Sequence, residues 1–130
     1  PFQVGYFYRK NASRKINKLI EQYKPDHLYG QLARTAIYLI DQPLPKTIDY
    51  QDAFSYGLKR RAKHASLFFK TIFMMEHRRL AAFEKQIFDH FDGKTIISKQ
   101  DRELIPHPKN KTIRLVRNGV DMQYFTALPM

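Results

Sequence analysis

The feature that most constrains this chain is an alternation. Four short runs rich in strand-forming residues recur along it: Asp26 to Gly30, Lys46 to Tyr50, Lys94 to Ile97 and Ile113 to Val116. A segment with helical spacing separates each run from the next. Strands joined through helices cannot pair by hairpins; they cross over, and crossovers make parallel sheets. The fold class expected is α/β: one domain over residues 1–130 with three layers, a mostly parallel sheet flanked by helices.

The helical segments read as follows. Ile16, Leu19, Ile20 and Tyr23 repeat at i, i+3, i+4 and i+7, with Ser13 as a cap and Pro25 as a stop. Leu32, Ala33, Ala36, Ile37 and Ile40 line a second helix, ended by Pro43 and Pro45. The chain turns helical again from Asp52, with a break near Ala65 and Ser66. Ser66 to Phe91 holds neither Gly nor Pro, so one long helix is expected, and Gly93 is read as its C-terminal cap. Ser98 to Asp101 reads as a capping box opening a short helix. Phe2 to Tyr8 alternates weakly and is read as a strand or the tail of a strand and loop. The opening at Pro1, without Met, is read as a chain cut from something larger.

Function is bounded by charge. The net charge is +11, which predicts attraction to nucleic acid, acidic lipid or a phosphorylated ligand. The absence of Cys excludes disulfides and thiolate metal sites. His27, His64, His77, His90 and His107 form no metal-ligand spacing, so no metal is expected. No Walker A or GxGxxG pattern occurs. No apolar run approaches the length of a membrane span; the best, Leu67 to Met75, is broken by Lys70.

Open α/β sheets bind ligands beyond the carboxyl ends of their strands. That rule collects Gln31, Arg34, Asp49, Asp52, Ser98, Asn118 and Gly119 as cleft-lining candidates. Each has a plainer reading. Asp49, Asp52 and Ser98 are residue types that cap helices. Arg34 suits a solvated helix face, or holds an anionic group. Asn118 and Gly119 suit a turn. Glu76 and Glu84, eight apart in the long helix, are read as helix-surface charges. The basic segment Leu58 to Arg79, carrying Lys59, Arg60, Arg61, Lys63, Lys70, Arg78 and Arg79 around Leu67, Phe68, Phe69, Ile72, Phe73, Met74 and Met75, has three readings: a core helix with solvated charges, an interfacial helix on an anionic membrane, or a nucleic-acid surface. No stacking platform or recognition helix supports the last, so nucleic acid is the least favoured partner.

The final segment, Ile113 to Val116 and then Asn118-Gly119-Val120-Asp121 with Phe125 four residues after the Asp, carries a resemblance. It resembles the crossover phrase of the GT-B glycosyltransferases of family four, the group 1 retaining enzymes. Pro25 to Tyr29, Lys46 to Ser55, the helix carrying Arg79, Leu80 and Glu84 before Ile96-Ile97-Ser98, and Asp101 to Leu104 resemble further steps of that family in the same order. The resemblance implies a Rossmann-like domain, the C-terminal part of a GT-B N-terminal (acceptor-binding) domain, with residues 118–130 beginning the interdomain crossover. It implies a retaining transfer from a nucleotide-sugar donor to a glycan or lipid-linked acceptor of a bacterial envelope. It implies a cytoplasmic enzyme, peripheral at the inner face of the membrane. The donor's domain would follow, no cofactor would belong to this stretch, and this stretch alone would have no turnover. Gly30-Gln31 stand where many relatives carry a His, so no role for that His carries over. A free-standing basic α/β module for nucleic acid or an acidic partner is the alternative. No catalytic residue is assigned.

Overall fold

The structure, a computed structural model, describes residues 1–121 and 124. Among these the helices are α1 (Phe2–Phe7), α2 (Lys10–Tyr23), α3 (Phe54–Ala62), α4 (Leu67–His90) and α5 (Lys99–Leu104). Two short 3₁₀ segments cover Ala33–Tyr38 and Asn110–Thr112. The strands are β1 (Leu28–Gln31), β2 (Lys46–Asp49), β3 (Gly93–Ile96) and β4 (Arg114–Leu115), side by side in that order and all parallel. This is an α/β fold whose sheet is flanked by helices, as the alternation requires.

Register fixes the two faces of the sheet. Leu28, Gly30, Ile48 and Ile96 face the core, with Leu80, Phe83, Ile87, Phe88 and Phe91 of α4 and its end in the same buried cluster. The alternate positions Tyr29, Gln31, Thr47, Asp49 and Thr95 are polar. Gly93 belongs to this second set. A Cβ there would lie 2.1 Å from the Thr47 hydroxyl, so the close approach of β2 and β3 requires glycine at that point.

Several expectations are corrected. Of Phe2 to Tyr8, all but the extended Tyr8 is helix, not strand. Its amino end is held by Glu76, whose Oε1 accepts the Gln3 N–H at 3.0 Å. Ser13 caps nothing: α2 starts at Lys10 after Arg9. The Arg9 N–H donates to the Tyr38 hydroxyl at 2.8 Å, and its guanidinium holds the Tyr6 and Tyr8 carbonyls, which fixes the turn earlier. Of the stripe on α2 only Ile16 and Ile20 pack on the core. The helix expected from Leu32 tightens to 3₁₀ geometry. Gly93 is not a left-handed cap, since α4 ends in extended backbone at Phe91 and Gly93 opens β3. The last strand is buried only at Ile113, because β4 is a sheet edge with Leu115 and Val116 open. Asn118 and Gly119 show no left-handed φ. Phe125 and Pro129, read as an apolar anchor and a closing proline, lie outside the described residues, as do most of residues 122–130.

The largest correction concerns Glu76 and Glu84. Neither is a surface charge: they are 5% and 0% exposed. They occupy the same buried stripe of α4 as Leu80, Phe83, Ile87 and Phe88. Each meets the amino end of another helix, Glu76 at α1 and Glu84 at α3, where its Oε1 accepts the Ser55 N–H at 3.0 Å. The amino end of a helix offers N–H groups without partners inside the helix, and in each case one carboxyl oxygen accepts one of them.

Candidate functional site

Of the three non-glycine residues with positive φ among those described, Lys24 ends α2 and the other two lie at the carboxyl edge of the sheet. Leu32 follows β1 with φ 72°, and Gln51 follows β2 with φ 63°. Left-handed backbone costs a residue with a Cβ about 1–2 kcal/mol, so something must hold it. Leu32 is held by its N–H on the Asp49 carbonyl at 2.8 Å, and its own carbonyl accepts from the Thr35 hydroxyl at 2.9 Å. Gln51 is held by Asp49, whose carboxylate accepts its N–H at 3.1 Å and its side-chain amide. The Tyr29 hydroxyl donates to the same carboxylate at 3.0 Å. Asp49 is thus buried and fully engaged in shaping the turn.

Two hollows whose walls share Asp52 and Phe54 form a cleft between the sheet edge and α3. One lobe, about 170 Å³, is lined by Leu32, Ala33, Arg34, Tyr50, Asp52 and Phe54. A second lobe, about 340 Å³, shares Asp52 and Phe54 and adds Gln3, Gly57, Leu58, Arg60 and Arg61. Arg34 is steadied by aromatic faces: its guanidinium lies 4.5 Å from the Phe7 ring centroid and 5.9 Å from that of Phe54.

The electrostatics of the cleft centre on Asp52. Its carboxyl is pushed above the usual range, first by partial burial and then by the neighbouring charge of Asp101, against the pull of Arg60 and Arg34. One side of Asp52 stays open to solvent. Asp101 belongs to the start of α5, where it accepts the Ser98 hydroxyl at 2.5 Å and the Ala53 N–H at 3.4 Å. Behind the cleft lies Glu84. Burial raises its carboxyl to about 7, opposed by the Ser55 and Phe54 bonds and aided by Asp52. Its Oε2 is buried without a hydrogen-bond partner, so only one of its two oxygens is compensated for the loss of water. Tyr50 closes the back wall, its hydroxyl donating to the Glu84 carbonyl at 3.0 Å.

Of the residues singled out in sequence, Arg34 and Asp52 line one lobe together. Gln31 is exposed on the polar face of the sheet, next to Asp49 in register. Ser98 caps α5, accepting the Asp101 N–H at 3.0 Å. Asn118 and Gly119 lie exposed beyond β4, the edge strand farthest in order from β1. Neither Asp49 nor Asp52 caps α3, whose N-cap is Ala53 and whose N–H groups turn to Glu84. Arg60 and Arg61, grouped in sequence with a membrane face, line the cleft.

Phe54, Tyr50, Asp101 and Glu84 were missed. For Glu84 a signal existed: it falls on the apolar period of Leu80, Phe83, Ile87 and Phe88. Among the described residues no cluster of His, Asp and Glu could hold a metal ion, and no helix is long and apolar enough to cross a membrane. Comparison with family models, with curated proteins and with solved structures finds no match.

Proposed function

We propose that this chain is the acceptor-side lobe of a retaining GT-B glycosyltransferase, and that the cleft around Asp52 takes the acceptor. The full enzyme would draw sugar from a nucleotide-sugar donor bound by a second domain. The acceptor would be a glycan or lipid-linked sugar of the envelope, met at the cytoplasmic face of the membrane. One observation supports this above the rest: Arg34, Arg60 and Asp52 border adjoining lobes at the carboxyl edge of a parallel sheet. Arginine forks suit an anionic group and a carboxylate suits hydroxyls, the pair of features that a phosphorylated or lipid-linked sugar presents. Catalysis by positioning needs such a rigid cradle for the attacking hydroxyl.

The test is calorimetric titration of the protein with neutral and phosphorylated mono- and disaccharides. Preferential binding of phosphorylated sugars is expected. It should weaken in Arg34→Ala through lost charge, and in Asp52→Asn through lost hydroxyl contacts. Binding that survives both substitutions would place the ligand elsewhere. The net charge of +11 favours a second reading, a basic module for nucleic acid. A salt-sensitive shift of duplex or single-stranded oligonucleotide, with no sugar binding, would establish it instead.

A further inference from the structure

Between Asp52 and Glu76 the sequence holds five lysines and arginines and no acid. The structure folds this run into a hairpin of α3 and α4, with residues 63–66 at its tip. Three consecutive large apolar side chains stand in solvent at that tip: Leu67, Phe68 and Phe69 are 84%, 72% and 54% exposed. They are not loose. The Phe68 ring meets Phe69 edge-on at 5.6 Å, and Phe69 stacks at 6.4 Å on Phe73, which packs against the core. Lys63 at the tip, Lys70 on the first turn of α4 and Lys59 one turn back along α3 are all exposed.

Scattered exposed apolar residues need no explanation, but a contiguous apolar tip ringed by cations does. A second copy of the chain is a poor cover, since it would bring the same cations face to face. Nucleic acid wants flat stacking faces, and here the most exposed side chain is a leucine while the rings pack on one another. An anionic bilayer answers both halves of the surface: hydrocarbon for the three apolar side chains and headgroups for the lysines.

We propose that the tip of the α3–α4 hairpin docks on an anionic lipid surface, with Leu67, Phe68 and Phe69 entering the bilayer interface and Lys59, Lys63 and Lys70 lying on its headgroups. The inference stands on the hairpin alone and does not depend on what fills the cleft. It has a consequence for the cleft all the same. Arg60 and Arg61, on the last turn of α3, line it, so docking holds its mouth within a helical turn or so of the headgroups.

The chain contains no Trp, so Phe68→Trp gives a single indole at the tip. Mixed with vesicles of phosphatidylcholine and phosphatidylglycerol, this variant should shift its emission to the blue and be quenched by brominated acyl chains. Pure phosphatidylcholine should give a much smaller response. In flotation with the otherwise unaltered chain, the triple change of Lys59, Lys63 and Lys70 to Gln should weaken binding on the order of 100-fold, roughly fivefold for each charge. Changing Leu67, Phe68 and Phe69 to Ser should weaken it at least about tenfold at constant salt, from the apolar area withdrawn. Circular dichroism melts should match the parent in both variants. Absence of any blue shift, or full vesicle binding by the Ser variant, would overturn the proposal. So would sedimentation showing a dimer that the Ser variant abolishes, because the tip would then be covered by a second copy.

Discussion

The two halves of α4 are made of similar residues and meet opposite surroundings. The second half sets Leu80, Phe83, Ile87 and Phe88 into the core, none more than 7% exposed. The first half leaves Leu67, Phe68, Phe69 and Met75 open. Hydrophobicity does not distinguish them; spacing does. In the second half the large apolar residues stand at 80, 83, 87 and 88, the i, i+3, i+7, i+8 spacing of one stripe, which a single core can cover. In the first half they run consecutively, 67 to 69 and 72 to 75, and so wrap around the helix. A helix lying against one core must leave part of such a run in water. Periodic apolar residues can all be covered by one core, whereas an unbroken run at a helix end leaves some of its members in water.

The comparison breaks first at its buried end. Leu80 is 0% exposed and sits between the two buried carboxylates in sequence. Leu80→Ala removes buried methyl and methylene groups and leaves a void, which costs about 2–5 kcal/mol. Urea denaturation should show a midpoint lowered accordingly. A loss below about 1 kcal/mol would mean that the second half of α4 is not core, and the contrast with the first half would fail.

The second prediction concerns the carboxylate in the buried stripe. Glu84 has a folded value of about 7 against an ordinary 4.5. The folded state therefore holds a proton that the unfolded state releases between those values. Stability from this group is present in full below the lower value and is lost as pH rises through the upper one. The difference amounts to on the order of 3 kcal/mol across the window. Asp52, also raised, acts in the same direction at the lower end. Glu84→Gln removes the ionisation while keeping an oxygen for the Ser55 N–H. Thermal melts from pH 5 to 8 should fall in the parent and flatten in the variant. Equal slopes in both would show that Glu84 is not held protonated.

How much of this was legible depends on whether the signal was local. The β-α alternation was, and the parallel sheet followed from it. The break before Ser66 and the Ser98 cap were also local, written in residues within one turn of each other. Phe2 to Tyr8 was misread because its helix is fixed from outside, by Glu76 seventy-three positions away. The cleft was half legible. Strand ends gave Arg34 and Asp52, but Arg60 and Arg61 reach it from the far end of α3, and Asp101 from α5. Glu76 and Glu84 were judged by charge when their positions followed the apolar period. A carboxylate at a core position should have prompted a search for a helix end to cap.

The smallest effect is the sharpest test of the contrast. Phe68 is 72% exposed, and its only ring contact among those described is the edge of Phe69, itself half in water. Phe68→Ser therefore withdraws almost nothing from the folded state. Exposed substitutions away from special features usually change stability by about 0.5 kcal/mol or less, and this one should stay within that range. Differential scanning fluorimetry against the parent would measure it. A near-zero change here, beside a large loss at Leu80, means that Phe68 does not serve the fold although it is as apolar as the residues that do. A loss above about 1 kcal/mol would instead give Phe68 a packing role and erase the difference between the two halves of the helix.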